Sequence, residues 1–198
     1  MRVVETTGGS RGRLESWRMF AAGMILCFGI AAGIAAAQDA AGPVANPVST
    51  VVKNQLGRFQ KNMVGAAEAM PAEKYSFKPT PEMSSYGHLV IHITQTNYTL
   101  CSKLSGGAAP DVKLAETDPK DKLVGALKDS FAYCTTALAG VDDSKLSDPL
   151  TLFGNRQTSR AGALIILSDD WYDHYAGQAI YLRLNGILPP TAQPAPAK

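Results

Sequence analysis

The sequence predicts an all-α protein, a four-helix bundle with a long crossover between helices 2 and 3, over residues 49–188. Three observations carry this. Four segments space their apolar residues in steps of three and four, the period of a helix with one buried face. No segment shows the sustained alternation of a strand. Helices with no sheet to cover must bury their stripes against each other, and a bundle does this most economically.

The first helix covers about residues 50–70, with Val52, Leu56, Phe59, Met63, Ala67 and Met70 as its stripe, and Pro71 ends it. The second starts after Ser84 or Ser85, either able to cap it, and carries Leu89, Ile93, Thr96 and Leu100 to about Leu104. The third opens with Asp118 as cap and Pro119 at its first position. It continues through Val124, Leu127, Phe131, Cys134 and Leu138, and Gly140 stops it. The fourth runs from Thr158 or Ser159 to Asn185, with Gly186 as a left-handed C-cap. At about 1.5 Å per residue it spans roughly 40 Å. The link at 105–117 is long enough to cross the bundle end, so simple up-down-up-down order is not required.

Residues 1–37 read as a signal peptide, which predicts export to the periplasm or the medium. Arg2, Arg11, Arg13 and Arg18 precede an apolar run from Met19, and Ala35-Ala36-Ala37 suits a small-residue cleavage site before Gln38. The alternative is an uncleaved leader, the chain's one route to a membrane, because the run approaches the length of a span. Residues 38–48 read as a flexible lead-in and 189–198 as a Pro/Ala-rich disordered tail.

Cleavage leaves 161 of the 198 residues, enough for one domain with a proper core. The leader holds four of the 19 basic and two of the 17 acidic residues, so the remainder balances at 15 against 15. A domain without net charge lacks the electrostatic footprint of a nucleic-acid binder, and a small-molecule substrate is compatible with it. A homodimer is compatible with the fold class. Cys101 and Cys134 remain after export, as a disulfide or as two buried thiols.

Chemistry concentrates on the fourth helix. Asp169, Asp170 and Asp173 cluster beside His174 near its centre, although aspartate is a poor helix former. Asp170 and His174 stand four residues apart, one turn on one face, on a stripe with Ile166, Gly177 and Tyr181 that is expected to face the core. A carboxylate carried inward needs a metal, a cation or a hydrogen-bond network. The second helix offers His88 and His92, again four apart, and with His174 these are all the histidines of the chain. His92, mid-helix, is the better inward candidate, and His88 sits at the third position after its cap. His92, Asp170 and His174 are therefore metal-ligand candidates, with His88 as a further one. Two satisfied core histidines are the plain alternative. Asp169 and Asp173 lie on adjacent stripes, either solvated or orienting an imidazole. Two imidazoles and one carboxylate suit a divalent ion such as Zn, Ni, Fe or Mn.

The segment Lys74-Tyr75-Ser76-Phe77-Lys78-Pro79, with Tyr86-Gly87-His88-Leu89-Val90-Ile91-His92 after it, resembles the DinB/YfiT-like superfamily. So does the ending His174-Tyr175 followed by Tyr181-Leu182-Arg183-Leu184-Asn185-Gly186. The resemblance implies a four-helix bundle with a long crossover and a divalent-metal site usually built of three histidines, one from the second helix and two from the fourth. His92 matches the first ligand and His174 the last, while Asp170 stands where histidine is usual, and His88 stands where relatives tend to carry glutamate. Either the site is a two-histidine, one-carboxylate variant or it has decayed. The resemblance thus implies an exported metal-dependent enzyme, hydrolase-like or thiol-transferase-like. The alternative is a non-catalytic envelope binding or structural bundle with a degenerate metal site.

Overall fold

The computed structural model describes residues 43–194; the predicted signal peptide and the last four residues of the predicted tail lie outside them. Four helices dominate: α1 (Pro47–Ala69), α2 (Tyr86–Ser105), α3 (Lys120–Ala139) and α4 (Arg160–Leu184). The helical segments begin and end within a few residues of the sequence expectation. All six stripe residues of α1, and Val124, Leu127, Phe131, Cys134 and Leu138 of α3, are buried. None of the described helices is long and apolar enough to cross a membrane.

The packing partners are α2 with α3, α1 with α4, α2 with α4, and α1 with α3. Side-chain pairs give the directions. Gln55 meets Ser168 and Gln178 meets the Met63 carbonyl, so α1 and α4 run parallel. Asn97 bonds Ser130, and Cys101 stands at disulfide distance from Cys134, their Cα atoms 5.2 Å apart, so α2 and α3 also run parallel. The rings of Tyr86 and Tyr181 pack together, and Arg160 donates to the Leu104 carbonyl, which makes α2 and α4 antiparallel. The order is therefore up-down-down-up. The link from α2 to α3 must return along the whole bundle, which is the long crossover. Tyr133 ties it down through the Ala108 carbonyl at 3.0 Å.

The caps of α2 and α4 follow from local chemistry; the starts of α1 and α3 do not. Ser85 accepts from His88 N at the start of α2, and Ser159 accepts from Gly162 N at the start of α4. Gly186 takes φ 73°, the left-handed end predicted for α4. Asp118 does not cap α3. It accepts from Ala115 N and pairs with Lys122, and the helix begins at Lys120, one residue later than expected. α1 starts at Pro47, inside the predicted lead-in, because a distant residue caps it: the Asp143 carboxylate accepts from Val48 N and Ser49 N, both at 2.9 Å.

Two expectations are corrected. Between α3 and α4 stands a short antiparallel hairpin, β1 (Pro149–Thr151) with β2 (Gln157–Ser159), three residues a strand and too short to show a period. Its turn uses Gly154 and Asn155, both with positive φ. The tail is not disordered from residue 189. Pro189 is buried, Pro190–Ala192 form a 3₁₀ turn, and Thr191 accepts from the Tyr175 hydroxyl at 2.8 Å.

One polar network crosses the core. Asn97, fully buried, accepts from Trp171 Nε1 at 2.8 Å and donates to Ser130 Oγ at 3.0 Å. Replacing Trp171 by Phe keeps an aromatic ring but orphans the Asn97 carbonyl oxygen. We expect a loss of about 1–3 kcal/mol, measured by urea melts against wild type.

Candidate metal centre

Trp171 sets the rotation of α4. Its buried indole points at α2, so Asp170 and His174 fall at the edge of the α2–α4 seam, their side chains 15 % and 14 % exposed. The stripe predicted to face the core is therefore a flank at Ile166, Asp170, His174 and Gly177, and only its last member, Tyr181, is buried. The core face is Ala163, Leu164, Leu167, Trp171, Gln178, Ala179, Tyr181 and Leu182. His92 comes to the same seam from α2, on its exposed side. Its ring lies 4.7 Å from that of His174, tilted by 37°. One candidate donor atom each from His92, Asp170 and His174 lies within 4.8 Å of the other two. Donors bound about 2 Å from a common ion stand about 3 Å apart, so the set has to tighten on binding. His92 has the freedom to do this, being exposed and without a hydrogen bond among the described residues.

His174 Nδ1 lies 2.7 Å from the Asp170 carbonyl oxygen. A carbonyl only accepts, so Nδ1 carries the proton, and in the neutral imidazole this leaves Nε2 its lone pair, the tautomer a metal ligand needs. Asp170 Oδ1 is 3.4 Å from the same Nδ1, while its Oδ2 is buried with no hydrogen-bond partner. Burial pushes the Asp170 carboxyl up to about 6, reinforced by the Asp173 charge and opposed by His174. Partial loss of water around its ring, on the side that meets His174, holds the otherwise exposed His92 below its usual range, with the neighbouring His174 and His88 adding to the effect. Each shift disfavours the charged form of its group. A neutral His92 and a carboxylate lacking a partner fit a divalent cation, whose charge would stabilise the anionic form.

Not every predicted residue joins this set. His88 turns away: its Nδ1 lies 3.0 Å from Glu116 Oε1, and Ser85 donates to the other oxygen of the same carboxylate. It thus helps hold the crossover to the start of α2. Asp169 and Asp173 are exposed, and neither bonds an imidazole among the described residues; the orienting contact comes from the Asp170 main chain instead. Asp173 lines a cleft of about 450 Å³ beside His92 and His174, with His88, Leu89, Gly177 and Ile180. A second hollow of about 340 Å³, lined by Thr96, Phe153 and Ile166, opens on His92 and Asp170. The sequence reading missed Asn97 and Trp171; a lone asparagine inside an apolar helical face was the available signal.

The family model described as the DinB superfamily matches residues 55–176, more than half of the chain. The chain belongs to the DinB superfamily. Solved structures agree on the fold. A DinB-like protein from Bacillus subtilis superposes with a TM-score of 0.60 at 19% identity, covering 73% of this chain and 99% of that one. One from Bacillus cereus gives 0.58 at 16% identity, covering 70% and 93%. A mycothiol-dependent maleylpyruvate isomerase gives 0.53 at 13% identity, covering 65% of this chain and 59% of the enzyme. Among curated proteins, none matches in sequence.

This DinB chain makes a signed prediction about pH. The Asp170 carboxyl binds its proton more tightly folded than unfolded, so its stabilising contribution is full below its ordinary 3.8 and is lost as pH rises through about 6. In chelator-treated protein, Asp170→Asn should therefore melt higher than wild type at pH 7.5, by up to about 2–3 kcal/mol. The advantage should shrink toward pH 4; an advantage independent of pH would show that the carboxylate is not buried as described.

Proposed function

We propose that this DinB protein is an exported enzyme dependent on a divalent metal, hydrolase-like or transferase-like, with His92, Asp170 and His174 as the ligands. The observation that carries this reading is the buried Asp170 carboxylate, its Oδ2 unpartnered, grouped with two imidazoles on the same seam. When bound, a divalent ion supplies Lewis acidity to a group brought into one of its open positions. The chain's residues do the rest. The Asp170 main chain fixes the His174 tautomer, and Leu89 and Ile180 give the cleft beside the centre apolar walls. A thiol substrate is one reading, supported by the fold likeness to a mycothiol-dependent enzyme.

Calorimetry with Zn, Ni, Fe or Mn tests the ligand set. One ion per chain is expected. His92→Ala and His174→Ala should each weaken binding beyond the about 10–100-fold that loss of an outer-shell partner costs, and His88→Ala should leave it near wild type. Unchanged binding in both ligand variants would overturn the assignment. The non-catalytic alternative draws on the exposure of His92, and it predicts that Asp170→Asn keeps the protein's cellular role.

Export is supported by the arginine-then-apolar leader and by Cys101 and Cys134 at disulfide distance, a pairing that persists in oxidising compartments. Mass spectrometry of the mature protein should find its N-terminus at Gln38. A cytoplasmic full-length chain with free thiols would contradict it.

A further inference from the structure

All three histidines of the chain line one cleft, yet only His92 and His174 belong to the ligand set. Resting on the site reading above, we propose that His88 is a catalytic base of that cleft, taking the proton from water that attacks a carbonyl carbon there, and that Glu116 positions it. His88 stands one turn before His92 on α2, and both line the same cleft of about 450 Å³.

A base needs a free lone pair, a fixed orientation and a counter-charge once protonated, and His88 has each. Its Nδ1 lies 3.0 Å from Glu116 Oε1. A carboxylate only accepts, so Nδ1 carries the proton, and in the neutral ring this leaves Nε2 its lone pair. Nε2 has no partner among the described residues. The orienting carboxylate is itself held, because buried Ser85 donates to its other oxygen while the same hydroxyl accepts from His88 N. The Ser85 hydroxyl first, and His88 after it, hold the Glu116 carboxyl below its usual range, so it is an anion at neutral pH. Asp173, the carboxylate on the cleft wall, has no such orienting group among the described residues.

A thiol ionises within reach of neutral pH, whereas water needs a base, so the pair favours the hydrolytic branch of the site reading. As the water oxygen bonds to the carbonyl carbon, one O–H bond breaks and its proton goes to Nε2. The imidazolium is paired with Glu116. The bond to the leaving group then breaks, and the proton passes to that group or to solvent at the exposed edge of His88.

Hydrolysis of 4-nitrophenyl acetate by zinc-loaded protein at pH 7.5 tests this, with the zinc affinity of every variant measured by calorimetry. His88→Ala should keep zinc affinity and lower kcat/KM about 100-fold, and free imidazole should restore part of the loss. Glu116→Gln should lower kcat about tenfold with KM unchanged. It should also move the His88 ring-nitrogen NMR signals of metal-free protein from the Nδ1–H tautomer toward Nε2–H. No turnover by wild type above that of free imidazole, an unchanged rate in His88→Ala, a loss that imidazole does not restore, or the loss arising in Asp173→Asn instead would overturn the proposal. Normal zinc binding with turnover indifferent to His88 would sink the base and leave the metal site standing. Turnover that needs His88 in protein that binds no zinc would do the reverse.

Discussion

The hydrogen bond from Trp171 Nε1 to Asn97 Oδ1 fixes the phase between α2 and α4, and the candidate site depends on that phase. An indole N–H and an asparagine amide buried in an apolar core each need a partner, and here they supply one another. Because Trp171 must point at Asn97, its neighbours on α4 cannot. Asp170 and His174 are turned to the edge of the seam, where His92 meets them. The disulfide-distance pair Cys101 and Cys134 and the Asn97–Ser130 bond hold α2 against α3 on its other side. The residue that presents the site is thus held from both flanks.

That placement leaves a tension which the protein does not resolve internally. Asp170 is buried enough to resist ionisation, and one of its oxygens has no partner. The nearest imidazole is held by the Asp170 main chain, so it is not free to neutralise the carboxylate by a strong side-chain bond. A buried polar group left in this state is costly and persists where something else completes it. Relative to the three-histidine arrangement the family resemblance implies, a carboxylate ligand lowers the net charge of an occupied centre by one. It also suits harder ions better than a third imidazole would.

Much of this was legible in the sequence, for physical reasons. The stripes of α1 and α3 repeat cleanly because each presents a single face to the core, and those residues are the buried ones. Polar residues at chemically meaningful spacing identified His92, Asp170 and His174, which the fold brings together. The phase of α4 was harder to read, because apolar residues such as Ile165 and Ile180 occupy its exposed sides. The spacing therefore predicts as core face a stripe of which only Tyr181 is buried. The reach of Glu116 to His88 and of Asp143 to the start of α1 spans 28 and 95 residues or so, beyond any local rule. Strands of three residues and a tail held by the Tyr175 hydroxyl left no periodic trace.

The central claim is that Asp170, not a histidine, completes a divalent-metal site with His92 and His174. Anomalous diffraction at the metal edge, on crystals of zinc-loaded protein, tests it most directly. The account predicts one strong peak about 2 Å from His92, His174 and an Asp170 carboxylate oxygen. A peak elsewhere, such as at His88 and Glu116, or none at that seam in fully loaded protein, would contradict it.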